Sequence, residues 1–330
     1  MPSVAIHCKA SMSDGMGHIY RQINLANELR KKGWEIFFYI PNFAPAIDLL
    51  SQSNFTSVIM GPQSHVTEYF KKKFDVAILD IQDTTESLIF SIQKCTRYIV
   101  SFEDLGAGRN HVDLLIDCNL APSKIKNLPS STRGLFGTDY SVLHPDFAYY
   151  HAESKSFGTC LQSVLISMGA TDPKNMTLPL TNFILHEKHE LKLTVLIGHN
   201  TKITHALNQL SRQFKLLDIR GPVSNMAQML WGHDVVICSG GVTLHETISV
   251  GTPAFVINQV EHQQTKARFV EKSGAAINLG MGIQYDVEKL REALNLKKHV
   301  LELMSLKAKQ LIDGRGLYRI IDAMNTLMKL

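Results

Sequence analysis

The chain has little that would staple it together. Its 330 residues include five cysteines, Cys8, Cys95, Cys118, Cys160 and Cys238. They are far apart, odd in number and without a C-x-x-C pair, which argues against a disulfide framework or a zinc site. Cys8, Cys118 and Cys238 lie in apolar runs, where a thiol acts as a small hydrophobe. No apolar run reaches the roughly 18 residues of a membrane span. Met1–Ala10 lacks a basic stretch ahead of a long apolar core, so no signal peptide is expected and the protein is read as cytoplasmic. A large charge of one sign is also missing. With 34 Lys and Arg against 30 Asp and Glu, the net charge of +4 excludes a polybasic nucleic-acid coat. What is present is a globular composition, 45% hydrophobic and 19% charged. At a loose ~150 residues per domain, the length suggests two domains.

Short apolar runs alternate with helical patterns. Val4–Cys8 reads as a strand, followed by a glycine-containing loop and a helix from about His18 to Lys32. Trp34–Ile40, Val76–Asp80, Tyr98–Phe102 and Leu114–Asp117 read as further strands buried on both faces, as in a parallel sheet. The pattern then restarts, with strands at Ser163–Ser167, Leu191–Ile197, Phe214–Arg220, Asp234–Cys238 and Pro253–Ile257. The polar stretch Lys155–Cys160 reads as a linker. The expected organisation is therefore two Rossmann-like α/β domains, 1–155 and 156–330. Ligands on such sheets bind outside the carboxyl ends of the strands, which directs attention to the strand-to-helix loops and to a cleft between the domains.

The first loop runs Asp14-Gly15-Met16-Gly17-His18-Ile19-Tyr20-Arg21. Gly15 and Gly17 permit tight turns, and the helix start favours negative charge and disfavours imidazolium. His18 is expected to lose some basicity there and to be a neutral proton acceptor at pH 7. An incidental histidine in a strand–helix turn is the equal alternative. The loop is not a G-x-G-x-x-G fingerprint, and no acidic residue ends the second strand, so a dinucleotide site is disfavoured. The second loop is Ser239-Gly240-Gly241-Val242-Thr243-Leu244-His245-Glu246. Paired glycines let backbone amides face an anion at a helix N-terminus, and Thr243 adds a hydroxyl. Glu246, one turn in, can accept hydrogen bonds from a vicinal diol such as a ribose. Packing alone is the other reading of the glycines.

Asn258-Gln259-Val260-Glu261-His262-Gln263-Gln264 is polar beside a buried strand; it reads as sugar-binding amides or as a solvated loop. Gly169–Pro173, with Thr171 and Asp172, reads as a phosphate or hydroxyl contact or as a turn. Asp80 and Asp83 form a D-x-x-D pair that reads as solvated loop acids in the absence of a third metal ligand. His186 and His189 read as helix surface, and no nucleophile elbow or P-loop is present.

Together these segments resemble a known family. Gly15-Met16-Gly17-His18-x-x-Arg21 resembles the opening of the UDP-sugar hydrolase of pseudaminic acid biosynthesis and its spore-coat polysaccharide relatives. Gly137–Phe147 resembles the family's G-x-x-Y-x-L-L-R-x-x-F, with His144 where arginine is usual. Ser167–Pro173 resembles its G-G-x-D-P, with Ala170 as the second glycine, and Asp313-Gly314-Arg315-Gly316 with Arg319 resembles its D-G-R-G-x-x-R. Asp80-Ile81-Gln82 stands where the family hydrolase has a tyrosine, and His262-Gln263 where it has an Asn-Gln pair. The Ser239–Glu246 loop is also similar to that of the wider GT-B superfamily, which includes the peptidoglycan N-acetylglucosaminyl transferase.

The resemblance implies a GT-B fold, two Rossmann-like domains facing each other across a cleft that binds a UDP-sugar. UDP would sit on the second half, with its base near Arg220–Met226. His18 would be the catalytic residue, activating water to displace UDP. The implied substrate-binding set is Gly17, Arg21, Gly169, Asp172, Ser239, Gly240, Gly241, Val242, Thr243, Glu246, His262 and Gln263. No metal or cofactor, no nucleic acid and no integral membrane segment are expected, and the protein is read as a monomer. Hydrolysis of a UDP-linked amino or deoxy sugar is the main expectation. A glycosyltransferase with His18 activating an acceptor hydroxyl, or a non-catalytic nucleotide-sugar binder, are the alternatives.

Overall fold

The computed structural model describes residues 1–12, 14–61, 65–119, 127–198 and 203–329. By its contacts the chain divides into two units, residues 1–144 with 315–330, and residues 145–314.

In the first unit, β1 (Ser3–Cys8), β2 (Glu35–Pro41), β3 (Ser57–Met60), β4 (Phe74–Asp80), β5 (Thr96–Phe102), β6 (Leu114–Asp117) and β7 (Arg133–Phe136) make one sheet. Its order is β3-β2-β1-β4-β5-β6-β7, and every neighbouring pair is parallel. Helices α1 (Gly17–Lys31), α2 (Ala44–Gln52) and α3 (Glu86–Gln93) connect the strands. The central strands are apolar on both faces because helices cover both. In β1, Ile6 pairs with Phe38 on one side and with Ile78 on the other, and all three are fully buried.

The second unit repeats the plan. Helix α4 (Asp146–Ala152) leads to β8 (Ser163–Ser167), α5 (Thr177–Glu187), β9 (Lys192–Leu196), α6 (Thr204–Gln213), β10 (Leu217–Arg220) and α7 (Met226–Trp231). Then come β11 (Val235–Cys238), α8 (Val242–Ser249), β12 (Ala254–Asn258), α9 (Glu261–Ser273), β13 (Ala276–Met281), α10 (Val287–Ala293) and α11 (Lys298–Lys309). The all-parallel order is β10-β9-β8-β11-β12-β13. Counted from its own first strand, this is the same 3-2-1-4-5-6 winding as in the first sheet, the doubly wound nucleotide-binding order. Its core is a continuous apolar cluster that includes Phe157, Ile166, Leu180, Ile237 and Phe255.

The expected strands recur within a few residues, and the four-residue β3 and β7 and the six-residue β13 are additional. β3 and β7 close the edges of the first sheet and β13 one edge of the second, where one side of the strand has no partner and the sequence is mixed rather than uniformly apolar. The sequence pattern predicts one domain over residues 156–330. By contacts, α12 (Gly316–Met328) instead belongs to the first unit, where it packs against α1 and the short turn Thr138–Tyr140. Gly316 makes this return fit, because a Cβ there would lie 2.4 Å from the Ser141 carbonyl oxygen. Among the described residues no helix is long and apolar enough to cross a membrane.

Candidate functional site

In a doubly wound sheet the strand order reverses between the first and fourth strands, and their carboxyl ends open a crevice. Here those strands are β1 and β4 in the first unit, and β8 and β11 in the second. Each unit carries a polar cluster at that point.

In the first unit, the loop after β1 is closed by Gly15 N–H donating to the Ser11 carbonyl at 2.9 Å, with Gly15 at φ +77°. Helix α1 begins at Gly17, so His18 stands in its first turn, and no side chain caps the helix start. His18 Nδ1 lies 2.6 Å from Asp80 Oδ1 at the end of β4. A carboxylate only accepts, so Nδ1 carries the proton and the Nε2 lone pair is the reactive one. Nε2 has no hydrogen-bond partner among the described residues. Asp80 is completely buried and is held by a fork from Arg21, Nε to Oδ2 at 2.6 Å and Nη2 to Oδ1 at 2.5 Å. Gln22 Nε2 adds a bond to Oδ2 at 2.8 Å. Burial alone would raise the Asp80 carboxyl. The Arg21 charge and then His18 outweigh it, and hold the group well below the ordinary carboxylate range. Asp80 is therefore an anion that orients the imidazole and stabilises the imidazolium formed when Nε2 takes a proton.

Three expectations change here. Asp80 is not a solvated loop acid but the centre of the cluster, whereas Asp83 is exposed. Arg21, expected to bind substrate, is buried, and its guanidinium is spent on Asp80 and, through Nη1, on Glu103 Oε1 at 2.9 Å. Gly17 serves the helix start.

In the second unit, β11 ends at Cys238 and runs through Ser239 and Gly240 into α8, with Gly241 at its N-cap. A Cβ on Gly240 would lie 2.6 Å from Asn258 Oδ1 and 2.8 Å from Gln263 Cβ, so this glycine is a packing requirement. At Gly241 the nearest atoms, Gln263 Nε2 and Ser239 Oγ, are both 3.6 Å away, so the backbone there is open to a close approach. No side chain caps α8, and its first N–H groups, led by Val242 and Thr243, are available to an anion. Around them stand polar groups with no hydrogen bond or ion pair among the described residues: the hydroxyls of Ser239 and Thr243, Nε2 of Gln263 and the carboxyl of Glu246. Glu246 is partly buried, and burial without a cation pushes its carboxyl up to about 7.

Other expected residues are already engaged. Asp172, at φ +39°, accepts from the backbone N–H groups of Met176 and Thr177 and from the Thr177 hydroxyl. It secures the start of α5, with two bonds to Oδ2 and one to Oδ1 made inside its own loop. Asn258 and Gln259 are buried rather than solvated. Gln259 donates to the Met168 carbonyl at 2.5 Å and accepts from Lys174 N–H at 3.0 Å, tying β12 to the β8 loop. Gln263 Oε1 accepts from Gln259 N–H at 2.9 Å, which turns the Gln263 amide nitrogen toward Gly241. His262 is exposed at the start of α9. Gly169 takes φ +87° in open space. Among the described residues no group of three His, Cys, Asp or Glu is placed to hold a metal ion.

Residues 164–315 match the Glycosyltransferase family 28 C-terminal domain. The chain is similar over its length to the spore coat polysaccharide biosynthesis protein SpsG of Bacillus subtilis, 26% identical over 341 residues, spanning 98% of each protein. It is also similar to the UDP-N-acetylglucosamine--N-acetylmuramyl-(pentapeptide) pyrophosphoryl-undecaprenol N-acetylglucosamine transferase of Mannheimia succiniciproducens. There the identity is 31% over 156 residues, 45% of this chain and 43% of that one. Among solved structures, Acinetobacter baumannii MurG superposes with a TM-score of 0.67 at 16% identity, covering 99% of this chain and all (100%) of the other. The chain thus has a GT-B-like fold of two parallel-sheet Rossmann-like domains, the second carrying a match to the Glycosyltransferase family 28 C-terminal domain.

Proposed function

We propose that the protein uses a UDP-linked sugar as donor in polysaccharide biosynthesis and transfers the sugar to an acceptor hydroxyl. The observation that carries this reading is the His18–Asp80 pair: a base oriented by a buried anion, with Nε2 left unspent. In the second unit, the α8 N-terminus would hold the diphosphate, helped by Ser239, Thr243 and Gln263, and Glu246 would accept from the ribose hydroxyls. The acceptor oxygen gives its proton to His18 Nε2 and bonds to the anomeric carbon. The bond from that carbon to the phosphate oxygen breaks, and its electron pair leaves with UDP. Resemblance over 156 residues to a UDP-N-acetylglucosamine transferase supports the donor class and favours transfer.

A second reading keeps every role and makes water the acceptor. It rests on the Gly15–Arg21 segment, which resembles a UDP-sugar hydrolase. UDP release from a panel of UDP-amino and UDP-deoxy sugars, with and without glycan acceptors, separates the two. Release that needs an acceptor supports transfer, and release in buffer alone supports hydrolysis. If UDP binds but no sugar is consumed, the protein is a non-catalytic binder and the role of His18 falls. In either enzyme the protein would act as a cytoplasmic monomer, and a mass determination in solution checks the latter.

A further inference from the structure

The mechanism above uses His18 and Asp80 and leaves unexplained a second carboxylate beside them. Glu103 follows the last residue of β5 and pairs with the same guanidinium that grips Asp80. Three of the Arg21 nitrogens are committed: Nε and Nη2 to Asp80, Nη1 to Glu103. The guanidinium also sits 5.3 Å from the centre of the Phe102 ring, and Cys118 Sγ, beyond β6, donates to Glu103 Oε1 at 3.3 Å. The backbone at Glu103 is itself unusual. Its φ of +49° lies in the left-handed region, which non-glycine residues seldom adopt. The next residue, Asp104, enforces that turn. It is fully buried and accepts from Thr84 N–H, the Ser101 hydroxyl and Gly106 N–H. A strained glutamate held by a rigid turn is a side chain kept for where its carboxylate lies.

We propose that Glu103 is a positioning residue for His18, acting through Arg21 and Asp80. The inference rests on the reading of His18 as the base. Its physics is geometric and electrostatic. Arg21 fixed at both ends has one orientation, so the Asp80 carboxylate has one orientation, and His18 keeps its proton on Nδ1. With His18 neutral, Asp80, Glu103 and Arg21 sum to one negative charge, so taking a proton on Nε2 brings the cluster to neutrality. Without Glu103 the cluster starts neutral, and the same step leaves a net buried positive charge. The other groups facing it are Gln22 on α1, the Cys118 thiol, and on β1 the buried Cys8 thiol and His7, whose basicity burial lowers and the Asp80 charge raises.

The test compares wild type with Glu103→Gln, which keeps shape and removes charge, and with Glu103→Asp. In UDP-sugar turnover, Glu103→Gln is expected to lower kcat about tenfold or more with KM nearly unchanged. The acid limb of its pH–rate profile moves to lower pH, and Glu103→Asp recovers part of the loss. A residue that merely neutralises Arg21 would lower Tm and leave kcat and the pH limb in place, and that result overturns the proposal. A second readout needs no substrate. Nitrogen-15 NMR of His18 should show the Nδ1–H tautomer in wild type and a mixture in Glu103→Gln. An unchanged tautomer in a folded variant also overturns it. If wild type consumes no UDP-sugar, the functional reading fails, and the NMR comparison still decides this one.

Discussion

Glu246 offers the sharpest perturbation. Its carboxyl stands at about 7 against an ordinary 4.5, because burial without a cation disfavours the anion. The folded chain therefore binds this proton more tightly than the unfolded chain does. Stability contributed by the protonated group is complete below about pH 4.5 and is lost as pH rises through about 7. Two and a half pH units at 1.36 kcal/mol each give about 3 kcal/mol, an upper bound because the group is partly exposed. Replacing Glu246 with glutamine removes this dependence while keeping the shape. Denaturant unfolding of both proteins between roughly pH 5 and pH 8 should give curves that converge at the acid end and separate at the basic end, the variant being the more stable there. Adding UDP extends the test. Ribose hydroxyls donate to a carboxylate and favour its charged form, so UDP affinity of wild type should rise with pH through about 7. The terminal phosphate of UDP titrates in the same region, but it does so equally with the variant, so the difference between the two proteins isolates Glu246. Parallel stability curves would refute the burial argument. Separating stability curves with identical UDP profiles would refute the ribose contact.

His18→Ala should lower turnover by about 100-fold or more while leaving UDP affinity within a few-fold, measured by steady-state kinetics and calorimetry. A loss below about tenfold would remove His18 as the base. Gly240→Ala should cost about 1–3 kcal/mol, because its methyl meets Asn258 Oδ1 at 2.6 Å. Gly241→Ala meets nothing closer than 3.6 Å, so Tm should hold while UDP affinity drops. Asp172→Ala should cost about 1–2 kcal/mol from the lost contacts at the start of α5, with UDP affinity unchanged. A loss of UDP affinity there would return Asp172 to the binding set.

Local pattern was enough for the doubly wound class. Runs such as Val76–Asp80 and Val235–Cys238 are apolar without alternation, which only a strand covered on both faces explains. The glycine loops before α1 and α8 were legible for the same reason: a tight turn into a helix leaves a short-range signature of small residues. Edge strands such as β7 were not legible, because one unpaired side relaxes the demand for apolar residues. The return of α12 to the first unit was hidden because it depends on Gly316 meeting Ser141, far away in sequence.

The sequence by itself determined which loops follow the buried strands, since an apolar run and the glycine turn after it are both read from local pattern; which of those strands are central came from the sheet order. Tertiary structure alone decided which polar residues in them are spent and which are free. Arg21 and Asp172 carry charges that suit a ligand, yet both are consumed by partners inside their own unit. Asp80 looked like a surface acid until β4 was laid beside β1 and its carboxyl met His18. Availability of a side chain depends on contacts between residues dozens of positions apart, and no local pattern encodes those.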